Sequence, residues 1–206
     1  LHEVYPPTPA HNRNVGAQLA AAEWVLFIDS DCVPAPDLVL RLKEIALSGE
    51  QAIAGAVALP DGMGYWGICD HFFGFAHQVA GAHSSQYIPY AASLVFCIRK
   101  DLLRSAGGFH EVFTSAGGED RELSWRLQKH GVKIRFSPQA WVMHNHPRRS
   151  FLSAWKHIHH YGEVTAQFRL LVFSEMSPGW KAGYHLLRVP VLGEMLGLLR
   201  LTLRAL

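Results

Sequence analysis

Trp24-Val25-Leu26-Phe27-Ile28-Asp29-Ser30-Asp31 is an apolar run of strand length that stops at two aspartates separated by one small residue. Its apolar character is continuous rather than alternating, which suits a strand covered on both faces. Open α/β sheets bind ligands outside the carboxyl ends of their strands, so two carboxylates delivered there can hold a divalent cation at the lip of the sheet. Mg2+ and Mn2+ are hard ions that take carboxylate oxygen and usually share their coordination with substrate phosphates. Aspartates at i and i+2 leave the strand together, one to coordinate and the other to orient a water or a ribose hydroxyl. A turn with two solvated aspartates is the competing reading.

The flanks read as strands alternating with helices, which indicates an α/β sandwich. Upstream, Val4-Tyr5 is a short strand candidate stopped by Pro6, Pro7 and Pro9. Asn12 is expected to cap a helix from Arg13 to Ala22 with Val15, Leu19 and Ala22 on its buried face. Downstream, Pro34 and Pro36 close the acidic turn, and Asp37 caps a helix with the stripe Leu38, Leu42, Ile45 and Ala46, stopped by Gly49. Ala52–Leu59 and Ala92–Ile98 are strands, and Lys100–Ser105 is a short helix ended by Gly107-Gly108. Residues 60–90, rich in glycine and aromatic side chains, predict a broken helix and loops on the acceptor side. Glu119–His130 is a strong helix closed by Gly131. Val132–Phe136 and Ala140–His144 predict two short strands joined by a Ser137-Pro138 turn, and Phe151–Phe173 is helical.

Composition narrows the class. Of 206 residues, 49% are hydrophobic and 17% charged, with a net charge of +2, so the chain is globular and too weakly basic, without Lys/Arg runs, to bind nucleic acid. Cys32, Cys69 and Cys97 fit neither a disulfide framework nor a zinc ribbon and predict a reducing, cytoplasmic compartment.

Three further clusters carry chemistry. Gly117-Gly118-Glu119-Asp120 lets the backbone approach a ligand and sets an acidic pair at a helix start. A general base needs a fixed carboxylate beside the acceptor hydroxyl, and Asp120 suits that role, with Glu119 to hold the acceptor. An acidic N-terminal cap without chemistry is the alternative. His144-Asn145-His146 ends a strand; His144 can complete a metal site, and Arg148 or Arg149 can reach a diphosphate. His157 and His160 share a helix face and read as surface or interface residues. Asn12-Arg13-Asn14 is a polar cluster able to contact a phosphate or base.

The ordered series Asn12-Arg13-Asn14-x-Gly16, strand-Asp29-Ser30-Asp31, Gly107-Gly108-Phe109-x-Glu111, Gly118-Glu119-Asp120-x-Glu122-Leu123-x-Trp125-Arg126-Leu127, Gly131, Phe136-x-Pro138 and His144 resembles the family 2 inverting glycosyltransferases of GT-A fold. The resemblance runs from about residue 10 to residue 150. It implies a mixed, Rossmann-like sheet flanked by helices, a nucleotide-sugar donor, a glycan, lipid-linked or other hydroxyl acceptor, and Mg2+ or Mn2+. It implies Asp120 as catalytic base, with Glu119, Trp125 and Arg126 on the acceptor. Asn12, Arg13, Asn14, Asp29 and Arg148 fall to the donor, and Asp29, Asp31 and His144 to the metal. Members begin with a strand-helix-strand unit carrying a base-binding aspartate, so the expectation is that such a unit precedes Leu1.

The expected organisation is a partial catalytic domain over 1–150 and C-terminal amphipathic helices over 151–206. The tail from Gly179 to Leu206 is apolar, carries Arg188, Glu194, Arg200 and Arg204, and reads as a helix lying on the inner face of a membrane. The rival functions are a nucleotidyltransferase on the same type of sheet and a non-catalytic carbohydrate-binding or scaffold module.

Overall fold

A computed structural model describes residues 8–80, 85–145 and 148–175. The expected Val4-Tyr5 strand, the tail from Gly179 and His146 lie outside the described residues. The chain divides into two compact units at Phe168/Arg169, and residues 8–168 belong to the first. No helix among the described residues is long and apolar enough to cross a membrane.

Six strands form one mixed sheet: β1 (Trp24–Ile28), β2 (Cys32–Pro34), β3 (Ala52–Ala58), β4 (Tyr87–Ile88), β5 (Val95–Arg99) and β6 (Ile134–His144). The order is β1-β5-β3-β6-β2, with β4 also paired to β6. β5 runs antiparallel to both β1 and β3, and β3 runs parallel to β6. β1, β3 and β6 therefore point the same way. The Asp29–Asp31 link leaves one edge of the sheet for the β6 side, and so crosses the sheet at its carboxyl end.

The helices cover both faces. Helix α1 (Pro9–Leu19) follows the N-cap Thr8, whose hydroxyl accepts from the His11 amide at 3.2 Å. The helix begins earlier than the expected cap at Asn12 because Thr8-Pro9 is the stronger start: a hydroxyl cap followed by proline at the first helical position. That shift also changes the buried face. Ala10 and Ala17 are buried, whereas Val15 and Leu19 are exposed.

Helices α2 (Leu38–Leu47), α3 (Tyr65–Phe75), α4 (Lys100–Ser105), α5 (Glu119–Lys129) and α6 (Phe151–Val172) complete the set. Leu103, Leu123, Leu127 and Phe109 join Ala54, Ala56 and Phe136 in the core on one face of the sheet. Leu38, Leu42 and Phe75 join Ile53, Val57 and Val142 on the other. Among the described residues of 60–90, Tyr65–Phe75 is one continuous helix rather than a broken one.

The Val132–Phe136 and Ala140–His144 segments belong to one strand, not two. Gly55 pairs with Ser137 and the next residue, Ala56, pairs with Trp141, so one step along β3 corresponds to four along β6. The extra residues form a bulge containing Pro138, a residue that cannot donate to a ladder. Gly55 permits it: a Cβ there would lie 2.3 Å from the Ala140 carbonyl oxygen and 2.4 Å from Val95 Cγ2.

Candidate active site

The entry to α5 is packed too tightly for side chains. A Cβ on Gly118 would meet the Phe113 ring at 2.3 Å, and Gly117 has a φ of 124°, a conformation that favours glycine. This loop delivers two adjacent carboxylates into different surroundings. Glu119 is 1% exposed; its Oε1 accepts from Arg13 Nη1 at 2.6 Å and its Oε2 accepts from the Gly117 amide at 2.7 Å. A buried carboxylate needs such partners to remain charged. Asp120 Oδ2 accepts from the Ser93 amide at 3.1 Å, while its buried Oδ1 has no hydrogen-bond partner among the described residues. Its carboxyl is pushed up to about 7, chiefly by loss of solvent and then by the charge on Glu119, with Arg13 and Ser93 pulling the other way.

Arg13 joins this acidic pair to the metal strand. Its Nη2 donates to Asp29 Oδ1 at 3.1 Å, and its guanidinium lies 5.7 Å from the Phe109 ring centre. Burial alone lowers the Arg13 pKa, but Asp120, Asp29 and Glu119 together raise it. Asn14 is a backbone clamp: its Oδ1 accepts from the Phe109 amide at 2.8 Å, and its Nδ2 donates to the Phe109 carbonyl at 2.9 Å and to Glu111 at 2.8 Å. Asn12 is exposed on α1. Of the expected donor cluster, the structure brings only Arg13 to Asp29; successive helical residues project about 100° apart, so Asn12 and Asn14 face elsewhere.

Across the cleft, β2 and β6 pair Cys32 with His144. His144 Nε2 lies 3.1 Å from Asp31 Oδ2, and Asp31 is 59% exposed. Asp31, Cys32 and His144 present ligand atoms within 4.8 Å of one another. Asp29 is outside this group, because Arg13 holds its carboxylate toward α1. Burial, then Asp29 and Asp31, push the Cys32 thiol up to about 12, and a soft sulfur donor suits Mg2+ or Mn2+ less well than oxygen. An exposed carboxylate beside a largely buried imidazole fits a divalent cation that tolerates nitrogen, and fits Mn2+ better than Mg2+. Phe75 supports the imidazole edge-on, with ring centres 5.4 Å apart.

Arg13, Asp29, Asp120 and His144 line one cleft, together with His77, Tyr90, Arg121 and Tyr161. The latter four were not singled out by the sequence. His77 stacks on Tyr90 at 3.6 Å, and Arg121 donates to the Tyr90 hydroxyl at 2.9 Å. Tyr90 belongs to the aromatic stretch read as acceptor side, which was its only signal. Burial and the surrounding carboxylates, Asp120 first among them, raise the Tyr161 pKa.

Other expected site residues do not line the cleft. Arg126 is bound to Glu122 at 2.5 Å and to the carbonyls of Ala106 and Gly108, so it bolts the glycine loop to α5. Trp125 lies on the same helix with Lys129 over its ring at 4.7 Å. Arg148 lies 3.7 Å from Asp70, a buried residue of α3. His157 is a structural residue rather than a surface one: its Nδ1 sits 2.6 Å from Asp70 Oδ1, tying α6 to α3. His160 Nε2 contacts the Ala116 carbonyl at 3.1 Å.

A mixed sheet with an acidic turn across its carboxyl end, facing an acidic helix start, is a GT-A type fold. Two solved structures share it: GalNAc-T7 with UDP, GalNAc and Mn2+ (TM-score 0.53, 16% identity, 79% of this chain and 36% of that one), and the mannosyltransferase PcManGT from Pyrobaculum calidifontis with GDP-Man and Mn2+ (TM-score 0.51, 15% identity, 94% and 64%). The chain belongs to glycosyl transferase family group 2, whose family model matches residues 24–195. It is 31% identical over 171 residues to the pre-mycofactocin glycosyltransferase of Mycobacterium tuberculosis, covering 75% of this chain and 33% of that protein. A shorter match, 51% identical over 35 residues, is to the validoxylamine A glucosyltransferase of Streptomyces hygroscopicus subsp. jinggangensis, covering 17% of this chain and 8% of that protein. The chain thus spans about a third of the length of the mycobacterial relative.

Proposed function

We propose that this chain forms part of a glycosyltransferase that moves a sugar from a nucleotide-diphosphate donor to an acceptor hydroxyl, with inversion at the anomeric carbon. The observation that carries the reading is Asp120: a carboxylate at a helix start, one oxygen unpartnered, its pKa near 7, on the same cleft as Asp29 and His144. A base poised near the working pH is well matched to proton removal.

In this mechanism Asp120 takes the proton of the acceptor hydroxyl. The oxygen attacks the anomeric carbon from the face opposite the diphosphate, and the carbon–oxygen bond to the diphosphate breaks with its electron pair. Arg13 ties Glu119 to Asp29, the Ser93 amide holds Asp120, and Tyr90, His77 and Arg121 bound the acceptor side. Asp31 and His144 would hold Mg2+ or Mn2+, and such a cation would neutralise charge on the leaving diphosphate. Both Mn2+-containing structural relatives accord with that assignment. A nucleotide-sugar donor accords with a cytoplasmic reaction.

The test uses the full-length protein. Asp120→Asn lowers transfer by about 100- to 10,000-fold, while donor binding with Mn2+, measured by calorimetry, is essentially unchanged. Lost donor binding in this variant, with Asp31→Ala harmless, overturns the assignment. Because the carboxylate is the active form, kcat/KM rises with pH through about 7 in the wild type; a flat profile across neutrality argues against Asp120 as base.

A further inference from the structure

Two helices leave aromatic side chains uncovered, and these meet. On α3, Tyr65 is 69% exposed and Phe72, seven residues on and so on the same stripe, is 49% exposed. On α6, Phe151, Leu152 and Trp155 are 55%, 58% and 54% exposed. The Trp66 ring lies 5.0 Å from Tyr65 and 5.2 Å from Phe151, and Phe151 lies 6.0 Å from Trp155. Four rings from two helices therefore make one continuous surface. Single exposed apolar side chains are ordinary, but a contiguous patch marks an interaction site.

The charge beside the α6 part of the patch has one sign, whereas Asp61, four residues before Tyr65 on the α3 side, is an exposed acid. Arg149 and Lys156 flank Phe151–Trp155 and are exposed. The only acid on α3 is Asp70, which is 1% exposed, and no acid occurs from Arg148 to Lys156. Trp, Tyr and Phe rings with cationic neighbours are the chemistry of a helix lying in a bilayer interface: the rings suit the headgroup level and the cations suit anionic lipid. Each Lys or Arg held near such a surface contributes about 1 kcal/mol.

We propose that the face formed by the N-terminal halves of α3 and α6 docks on a membrane surface containing anionic lipid. This contact is separate from any made by the tail beyond residue 175. The same two helices reach the cleft through Gly74, Phe75 and Tyr161. From Trp155 to Tyr161 is six residues of α6, or about 9 Å at 1.5 Å per residue, so docking here sets the cleft mouth close above the interface.

The experiment is co-sedimentation of the full chain with vesicles of phosphatidylcholine alone and of phosphatidylcholine with phosphatidylglycerol. The wild type binds the anionic vesicles and releases as salt rises. Phe151→Ser with Trp155→Ser weakens binding about tenfold or more, and Arg149→Glu with Lys156→Glu abolishes the preference for phosphatidylglycerol. Both pairs are exposed, so thermal unfolding followed by circular dichroism should match wild type and exclude misfolding. Vesicle binding unchanged by both double variants overturns the proposal. So does a concentration-dependent dimer, seen by analytical ultracentrifugation, that the aromatic pair disrupts without any effect on vesicles.

Discussion

On one side of the cleft, α1, the loop before α5 and the first turn of α5 commit their charges to one another. On the other, the Asp29–Asp31 turn and the end of β6 hold theirs at the solvent boundary. Arg13 is bonded to Glu119, which is 1% exposed, and to Asp29, while Asn14 grips both backbone groups of Phe109. Asp31, by contrast, is 59% exposed and meets His144 at 3.1 Å. The first wall is a scaffold whose polar groups, Asp120 Oδ1 apart, are bonded within the protein; the second sets the Asp31 carboxylate at the solvent boundary. The same residue type therefore serves opposite ends within one triplet: Asp29 faces the scaffold and Asp31 faces the solvent boundary, where the proposed cation would sit.

The largest break in this contrast comes from Arg13→Met. It strands the buried Glu119 carboxylate, and urea unfolding at neutral pH should show a loss of about 3–5 kcal/mol. A loss below about 1 kcal/mol, the range of an exposed ion pair, places Arg13 with the open wall instead. Asn14→Ala is the next largest. It leaves the Phe109 amide and carbonyl without their side-chain partner and should cost about 1–2 kcal/mol by the same measurement. Asp31→Asn is the smallest in stability, within about 0.5 kcal/mol as for exposed sites generally. Its effect appears instead in Mn2+ binding, where calorimetry should record a loss of at least about tenfold, the scale seen even for residues that merely orient ligands. A stability loss comparable to that of Asn14→Ala dissolves the distinction between the walls.

Much of the framework was legible in the sequence because it rests on local pattern. The apolar run Trp24–Ile28, the Leu38/Leu42 stripe and the Glu119–His130 helix closed by Gly131 each predict an element without help from the rest of the chain. The family resemblance ordered them correctly. What was not legible depends on distant partners. Glu119 and Asp120 are equivalent in sequence, and only Arg13, 106 residues from Glu119, decides which is buried and paired. Asn14 reads as a ligand until Phe109 is seen beside it. His157 reads as surface until α6 is laid on Asp70. The start of α1 differs in kind: Thr8-Pro9 is itself a local signal, and it competes with Asn12 as a cap four residues later.

The bulge in β6 has a consequence for the metal wall that can be stated as parity. Before the bulge, even-numbered residues of β6, Ile134 and Phe136, face the core that holds Leu123 and Leu127. After it, even-numbered Ala140 and Val142 face the opposite core, that of Leu38 and Phe75. An odd insertion has exchanged the two faces, and His144, in step with Val142, emerges beside Phe75 and opposite Cys32. If the same sequence ran through residues 138–140 as regular strand, His144 would fall in step with Phe136 and its imidazole would go to the other side of the sheet. The position of a single histidine is thus counted out by Pro138, Gln139 and Ala140, and the count is admitted by the absence of one methyl group at Gly55.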